Sequence, residues 1–140
     1  MGQRRHAREL ALQILFQVEI TRDPPSQVAD RFFASRPTAS PTRRFAEALV
    51  RGTLEKRERI DAEIAAATEN WRLERMAIVD RNVLRMAIFE LIGQPETPPA
   101  VIIDEAIEIV RKYGSEESAP FINGVLDSVR RRVENPVTGT

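Results

Sequence analysis

Arg4, Arg5, His6 and Arg8 stand at the head of the chain with no acid before Glu9, and they are the residues whose chemistry is most open to a ligand. A guanidinium is charged at every physiological pH and presents forked donors that match phosphate oxygens. His6 is the single histidine. Two readings stand side by side: a solvated, frayed terminus, or a short basic arm that grips phosphate. Ala7, Leu10, Ala11, Ile14 and Val18 recur behind it at helical spacing, so the arginines continue into the first turn of a helix. Cations at that end oppose the helix dipole, which is a reason for the charge to serve something outside the chain.

The other reactive residue types form no constellation. His6 has no acid placed to orient it as a base. Zero cysteines exclude disulfides, thiolate zinc sites and thiol catalysis. Asp104, Glu105 and Glu108 read as the polar face of an amphipathic helix rather than as metal ligands. No Gly-x-Gly-x-x-Gly, phosphate-binding loop or Gly-x-Ser-x-Gly occurs. The sequence therefore predicts a binding protein, with no enzyme activity, metal or cofactor.

Composition bounds what kind of binding. With 42% hydrophobic and 30% charged residues over 140 positions, the chain has enough apolar content for one folded domain. Its 21 basic and 21 acidic residues cancel, so any nucleic-acid contact must come from a local patch and not from a global field. No apolar run of 18 residues and no signal-peptide core occurs, which with the absence of cysteine fits a cytoplasmic protein.

The elements that would position the arm are helical throughout. Asp23-Pro24-Pro25 starts a short helix carrying Val28, Phe32 and Phe33, and Ser35 to Pro41 is a Pro-rich loop. Ser40-Pro41 starts the next helix, with Phe45, Leu49 and Leu54 on its buried side and Gly52 at a tight contact or bend. The charged stretch Glu55 to Arg59 is a solvated face or a break, and Trp71 to Met76 a connecting turn. Ile78 to Ile92 is apolar around much of its circumference, which marks a helix buried on several sides. Met76 and Met86 fill gaps in the core.

The last third carries the sharpest choice. Asn123-Gly124 between apolar pairs is a strong hairpin signal. Against it, Phe121, Ile122, Val125, Leu126, Val129 and Val133 follow helical spacing, Ser118 stands as an N-cap, and Pro120 falls in the first turn. Helix is the better reading. The segment before it, Ala100 to Tyr113, is amphipathic and stops at Gly114 as at a C′ glycine. Asn and Gly in mid-helix cost roughly 1–1.5 kcal/mol. Close approach of another backbone at Gly124, with the Asn123 amide bonded across it, would offset that cost; a direct ligand role for Asn123 is the other reading.

The fold class expected is thus all-α, a compact bundle of about seven helices. It would be a single domain over residues 1–134 in two helical subgroups divided at the Pro-rich loop, with a disordered tail at 135–140.

The run Ile-Asp-Glu-Ala-Ile-Glu-Ile-Val-Arg-Lys-Tyr-Gly-Ser-Glu-Glu-Ser-Ala-Pro-Phe-Ile-Asn-Gly-Val-Leu-Asp, residues 103–127, resembles the C-terminal signature of the NusB family of transcription antitermination proteins. Arg-Arg-His-Ala-Arg-Glu at 4–9 is similar to that family's arginine-rich RNA-binding arm, and Asp80 to Leu91 matches as well. The likeness is weak between Asp23 and Pro41, and His6 stands where relatives often carry a basic residue. The resemblance implies an all-helical factor that binds the boxA element of ribosomal RNA leader transcripts with the small-subunit ribosomal protein NusE, within an RNA polymerase antitermination complex. It implies RNA contacts at Arg4, Arg5, His6, Arg8, Tyr113, Glu117 and Phe121, although Phe121 reads equally as core. It implies partner contacts at Phe16, Glu74 and Asp80, where Asp80 reads also as a helix-start charge. Gly114, Ser118, Asn123 and Gly124 are expected to be structural. Either a monomer or a homodimer that hides the RNA surface fits. Two alternatives remain: a NusB-like RNA-binding domain of a ribosomal RNA cytosine methyltransferase, disfavoured because no such domain follows, and a helical protein adaptor that binds no RNA.

Overall fold

The computed structural model describes residues 2–68 and 73–134, and among these the elements are seven α-helices and one 3-10 turn, with no strand. In chain order they are α1 (Gly2–Thr21), α2 (Pro25–Ala34), α3 (Ser40–Glu55), α4 (Arg57–Ala67), the 3-10 turn Leu73–Arg75, α5 (Ile78–Gly93), α6 (Pro99–Tyr113) and α7 (Ser118–Glu134). Asn123 and Gly124 lie inside α7, so helical periodicity prevails over the hairpin signal. Trp71 and Arg72 of the expected connecting turn, and the tail at 135–140, lie outside the described residues.

The helices fall into two units that divide between Glu55 and Lys56. The expected division at the Pro-rich loop is therefore corrected: that loop lies within the first unit. The reason is packing, because α3 lays Thr42, Ala46, Leu49, Val50 and Thr53 inward and runs along α1.

In the first unit α1 buries Ala7, Leu10, Ala11, Leu12, Ile14 and Leu15, a stripe broad enough to meet both α2 and α3. Val28, Ala29, Phe32 and Phe33 are the buried face of α2. Pro25 opens α2 behind Pro24, where a missing N–H costs nothing. Asp23 does not cap it; its Oδ2 accepts from Arg31 Nη2 at 2.8 Å. At the other end of that turn Arg22 has φ of 61°, in the left-handed region, and its N–H donates to the Val18 carbonyl at 2.9 Å.

The second unit is built around α5, whose residues from Asn82 to Glu90 are all buried and against which α4, α6 and α7 pack. This matches the all-round apolar pattern of the sequence. The buried Asn82 is satisfied within the helix, its Nδ2 donating to the Ile78 carbonyl at 3.0 Å. Helix α4 buries only Ile60 and Ile64, so apolar contact alone fixes it weakly. A two-pronged ion pair completes the join: Arg85 donates from Nε and Nη2 to the two carboxylate oxygens of Asp61 at 2.9 and 3.1 Å. Such pairs set orientation more than they add net stability.

Candidate nucleic-acid interface

The basic arm is the first turn of α1, helical from Gly2, with no acid in that turn. Arg4 and His6 are exposed and Arg5 is half-buried. Arg8 departs from the expectation of an open phosphate contact: it is 4% exposed and packed. It lies three, four and seven residues before Ala11, Leu12 and Leu15, on the buried stripe itself.

Arg4 and Arg8 share an aromatic partner. Their guanidinium carbons lie 4.9 and 5.5 Å from the centroid of the Phe45 ring on α3. Two cations one turn apart repel by a few tenths of a kcal/mol, and each also opposes the helix dipole. A ring face attracts a cation by about 0.5–1 kcal/mol at exposed sites, enough to offset that repulsion. The sequence places Phe45 on the buried side of its helix but gives no sign of this contact, which exists only once α1 and α3 pair. The overall neutrality also hides an asymmetry: residues 1–55 carry nine arginines against six acids, and the remainder twelve basic residues against fifteen acids. Charge suited to phosphate is concentrated in the first unit.

The second unit contributes the elbow between α6 and α7. Gly114 ends α6, its N–H donating to the Val110 carbonyl at 2.7 Å. Its φ of −100° and ψ of −169° are extended, so the left-handed C′ role is corrected. Glycine is needed there for space: a Cβ would sit 2.8 Å from both Ser118 Oγ and the Val110 carbonyl oxygen. Ser118 is the first residue of α7 and not the cap before it, so the N-cap expectation is corrected. Its buried hydroxyl accepts from the Ser115 N–H at 3.1 Å and donates to Asp80 Oδ2 at 3.0 Å. The serine thus ties the elbow to the first turn of α5.

Around that tie lies a shallow pocket of about 180 Å³, lined by Arg75, Asp80, Ser115, Glu117, Ser118 and Phe121 among others. The structure so brings together two expected RNA residues, Glu117 and Phe121, with Asp80, the expected partner residue. Phe121 is half-buried, so its core and surface readings both stay open. Asp80 Oδ1 is buried and accepts no hydrogen bond. Arg75, from the 3-10 turn, was not singled out by sequence, which holds no clue that the turn folds back on α7's start. A guanidinium, an aromatic ring and the Glu117 carboxylate thus line one pocket. Tyr113 is 37% exposed beside the pocket's helix, with Lys112 Nζ 5.3 Å from its ring centroid.

The packing reading of Asn123 and Gly124 does not survive. Both are exposed, and a Cβ added to Gly124 meets nothing within 4 Å. Close packing at Gly124 therefore does not offset the helical cost of this pair. Of the other expected partner residues, Phe16 is 41% exposed on α1 and Glu74 is exposed in the 3-10 turn. Among the described residues no cluster of three or more His, Asp or Glu is placed to hold a metal ion, and no helix is long and apolar enough to cross a membrane.

The family model described as NusB family matches residues 5–131. The transcription antitermination protein NusB of Sorangium cellulosum is 48% identical over 129 residues, which cover 92% of each chain. Among solved structures, T. maritima NusB superposes with a TM-score of 0.85 at 37% identity, covering 91% of this chain and 90% of its own. A crystal structure of the antitermination factors NusB and NusE in complex with dsRNA gives a TM-score of 0.85 at 25% identity, covering 94% of this chain and 98% of that one.

Proposed function

The chain belongs to the NusB family, and we propose that it is a transcription antitermination factor whose work is binding, not catalysis. Its RNA is a single strand of the boxA type from ribosomal RNA leader transcripts. It takes that RNA together with the small-subunit ribosomal protein NusE, in the cytoplasm, as part of an RNA polymerase antitermination complex. The observation that carries the reading is the charge at the start of α1: Arg4 and Arg5 on a turn without acids, in the unit that holds the excess of arginine. A relative of the same fold crystallised with NusE and RNA supports it.

The roles divide by chemistry. Arg4 and Arg5 neutralise phosphates beside His6, each such contact adding about 0.7 to the log–log salt slope of a single strand. Phe121 and Tyr113 supply ring surface for splayed bases and Glu117 accepts from base amino groups, the means by which single-stranded RNA is read. Arg8 supports the arm from within. Phe16, Glu74 and Asp80 serve the protein partner, with Phe16 and Glu74 on open surface.

Two ligands of one protein that favour each other must do so by the same factor in both directions. Anisotropy titration of a labelled boxA-type RNA, with and without NusE, is expected to show tighter RNA binding in its presence and an equal gain for NusE when RNA is present. Equal RNA affinity in both cases contradicts the shared complex.

A further inference from the structure

We infer that Phe45 is a positioning residue for RNA: its ring gathers Arg4 and Arg8 and so presents the arm's charge in a fixed place. The inference rests on the RNA reading above and names the part of the fold that makes the arm competent.

Three observations lead to it. First, Arg4 and Arg8 are one helical turn apart on α1, so they project on the same side. Second, both guanidinium groups lie over one ring, at 4.9 and 5.5 Å from its centroid. Third, they differ in accessibility: Arg8 is 4% exposed, whereas Arg4 is exposed. The buried cation anchors the ring from the inside while the outer one is held where a phosphate can reach it. An unsupported terminal arginine samples many rotamers and loses that freedom on binding. One already stacked on a ring loses less, which is how preorganisation raises affinity. Phe45 comes from a different helix, so α3 sets where the arm's charge sits.

The test uses the intact chain, a short fluorescein-labelled single-stranded boxA-type RNA, and five variants: Phe45→Leu, Phe45→Tyr, Arg4→Ala, Arg4→Ala/Arg5→Ala and the Phe45→Leu/Arg4→Ala double. Leucine keeps an apolar side chain and removes the ring face; tyrosine keeps both. Phe45→Leu is expected to weaken RNA binding three- to tenfold and to make its salt dependence shallower. Phe45→Tyr should stay within twofold of the parent, and the double variant should bind no worse than Arg4→Ala alone. In the free protein, the Arg4 side-chain proton resonances should show an upfield ring-current shift that Phe45→Leu abolishes.

Parent-like RNA affinity in Phe45→Leu, with Arg4→Ala impaired, overturns the positioning role and leaves the RNA reading intact. Losses that add in the double variant overturn it too, because independent effects mean a packing role only. Unchanged binding in Arg4→Ala and in an Arg4→Ala/Arg5→Ala variant brings down the RNA reading and this inference together. A missing ring-current shift in the parent removes the inference without reference to RNA, even should Phe45→Leu fail to fold.

Discussion

Ser118 Oγ donates to Asp80 Oδ2 at 3.0 Å across 38 residues of sequence, and the same oxygen accepts from the Ser115 N–H. One hydroxyl therefore holds together the first turn of α5, the elbow, and the start of α7. The pocket carrying Glu117 and Phe121 opens at this point, so the tie that stabilises the second unit also shapes its candidate base-binding surface.

Replacing Ser118 by Ala removes the donor from a carboxylate whose other oxygen is already buried without a bond, and strands the Ser115 N–H. Leaving such groups unsatisfied costs about 1–3 kcal/mol. Urea denaturation of Ser118→Ala is expected to show a loss in that range, larger than for Ser115→Ala, which leaves the Asp80 bond in place. Equal, negligible losses would remove the tie from the stability of the unit.

The two glycines of the C-terminal pair should respond in opposite directions. Gly114→Ala drives a Cβ to 2.8 Å from a backbone carbonyl oxygen, and such overpacking costs roughly 1–3 kcal/mol. Gly124→Ala meets open space and should stabilise α7 by roughly 0.5–1 kcal/mol, the helix propensity difference. Thermal melts read both, and destabilisation by Gly124→Ala would restore the packing role that the geometry removes.

At the end of α1, Arg22 adopts φ of 61°, a conformation that costs a residue with a Cβ roughly 1 kcal/mol. Arg22→Gly relieves it at the price of a looser unfolded chain, so a net gain of about 0.5 kcal/mol is expected by chemical denaturation. A loss would mean that the Arg22 side chain contributes more than the strain it imposes.

These contrasts mark what could be read from the chain alone. Helices are legible because burial repeats every three to four residues, and α5 stood out through an apolar run that left almost no polar face. The signal for Arg8 was present too: tracing the stripe of Leu15, Leu12 and Ala11 one turn back reaches it. Gly114 was found as a helix stop for the wrong reason, because sequence gives the residue and not its φ. Gly124 was misjudged since a costly residue suggests a neighbour, whereas here the space beside it is open. Phe45 was legible as a buried-side residue, but its place beside the arginines was not, and Arg75 carried no signal at all. Their roles depend on which helix packs beside which, and no local pattern encodes that.

The central claim is that cations on the first turn of α1 hold RNA phosphates. The most direct measurement is the salt dependence of boxA-type RNA binding for the intact chain against Arg4→Ala/Arg5→Ala, a pair that leaves the buried Arg8 and its packing untouched. The expected result is an affinity loss of about tenfold or more at low salt, equivalent to about 1.4 kcal/mol, with a log–log slope shallower by about 1.4 for two phosphates released. Unchanged affinity with an unchanged slope would contradict it.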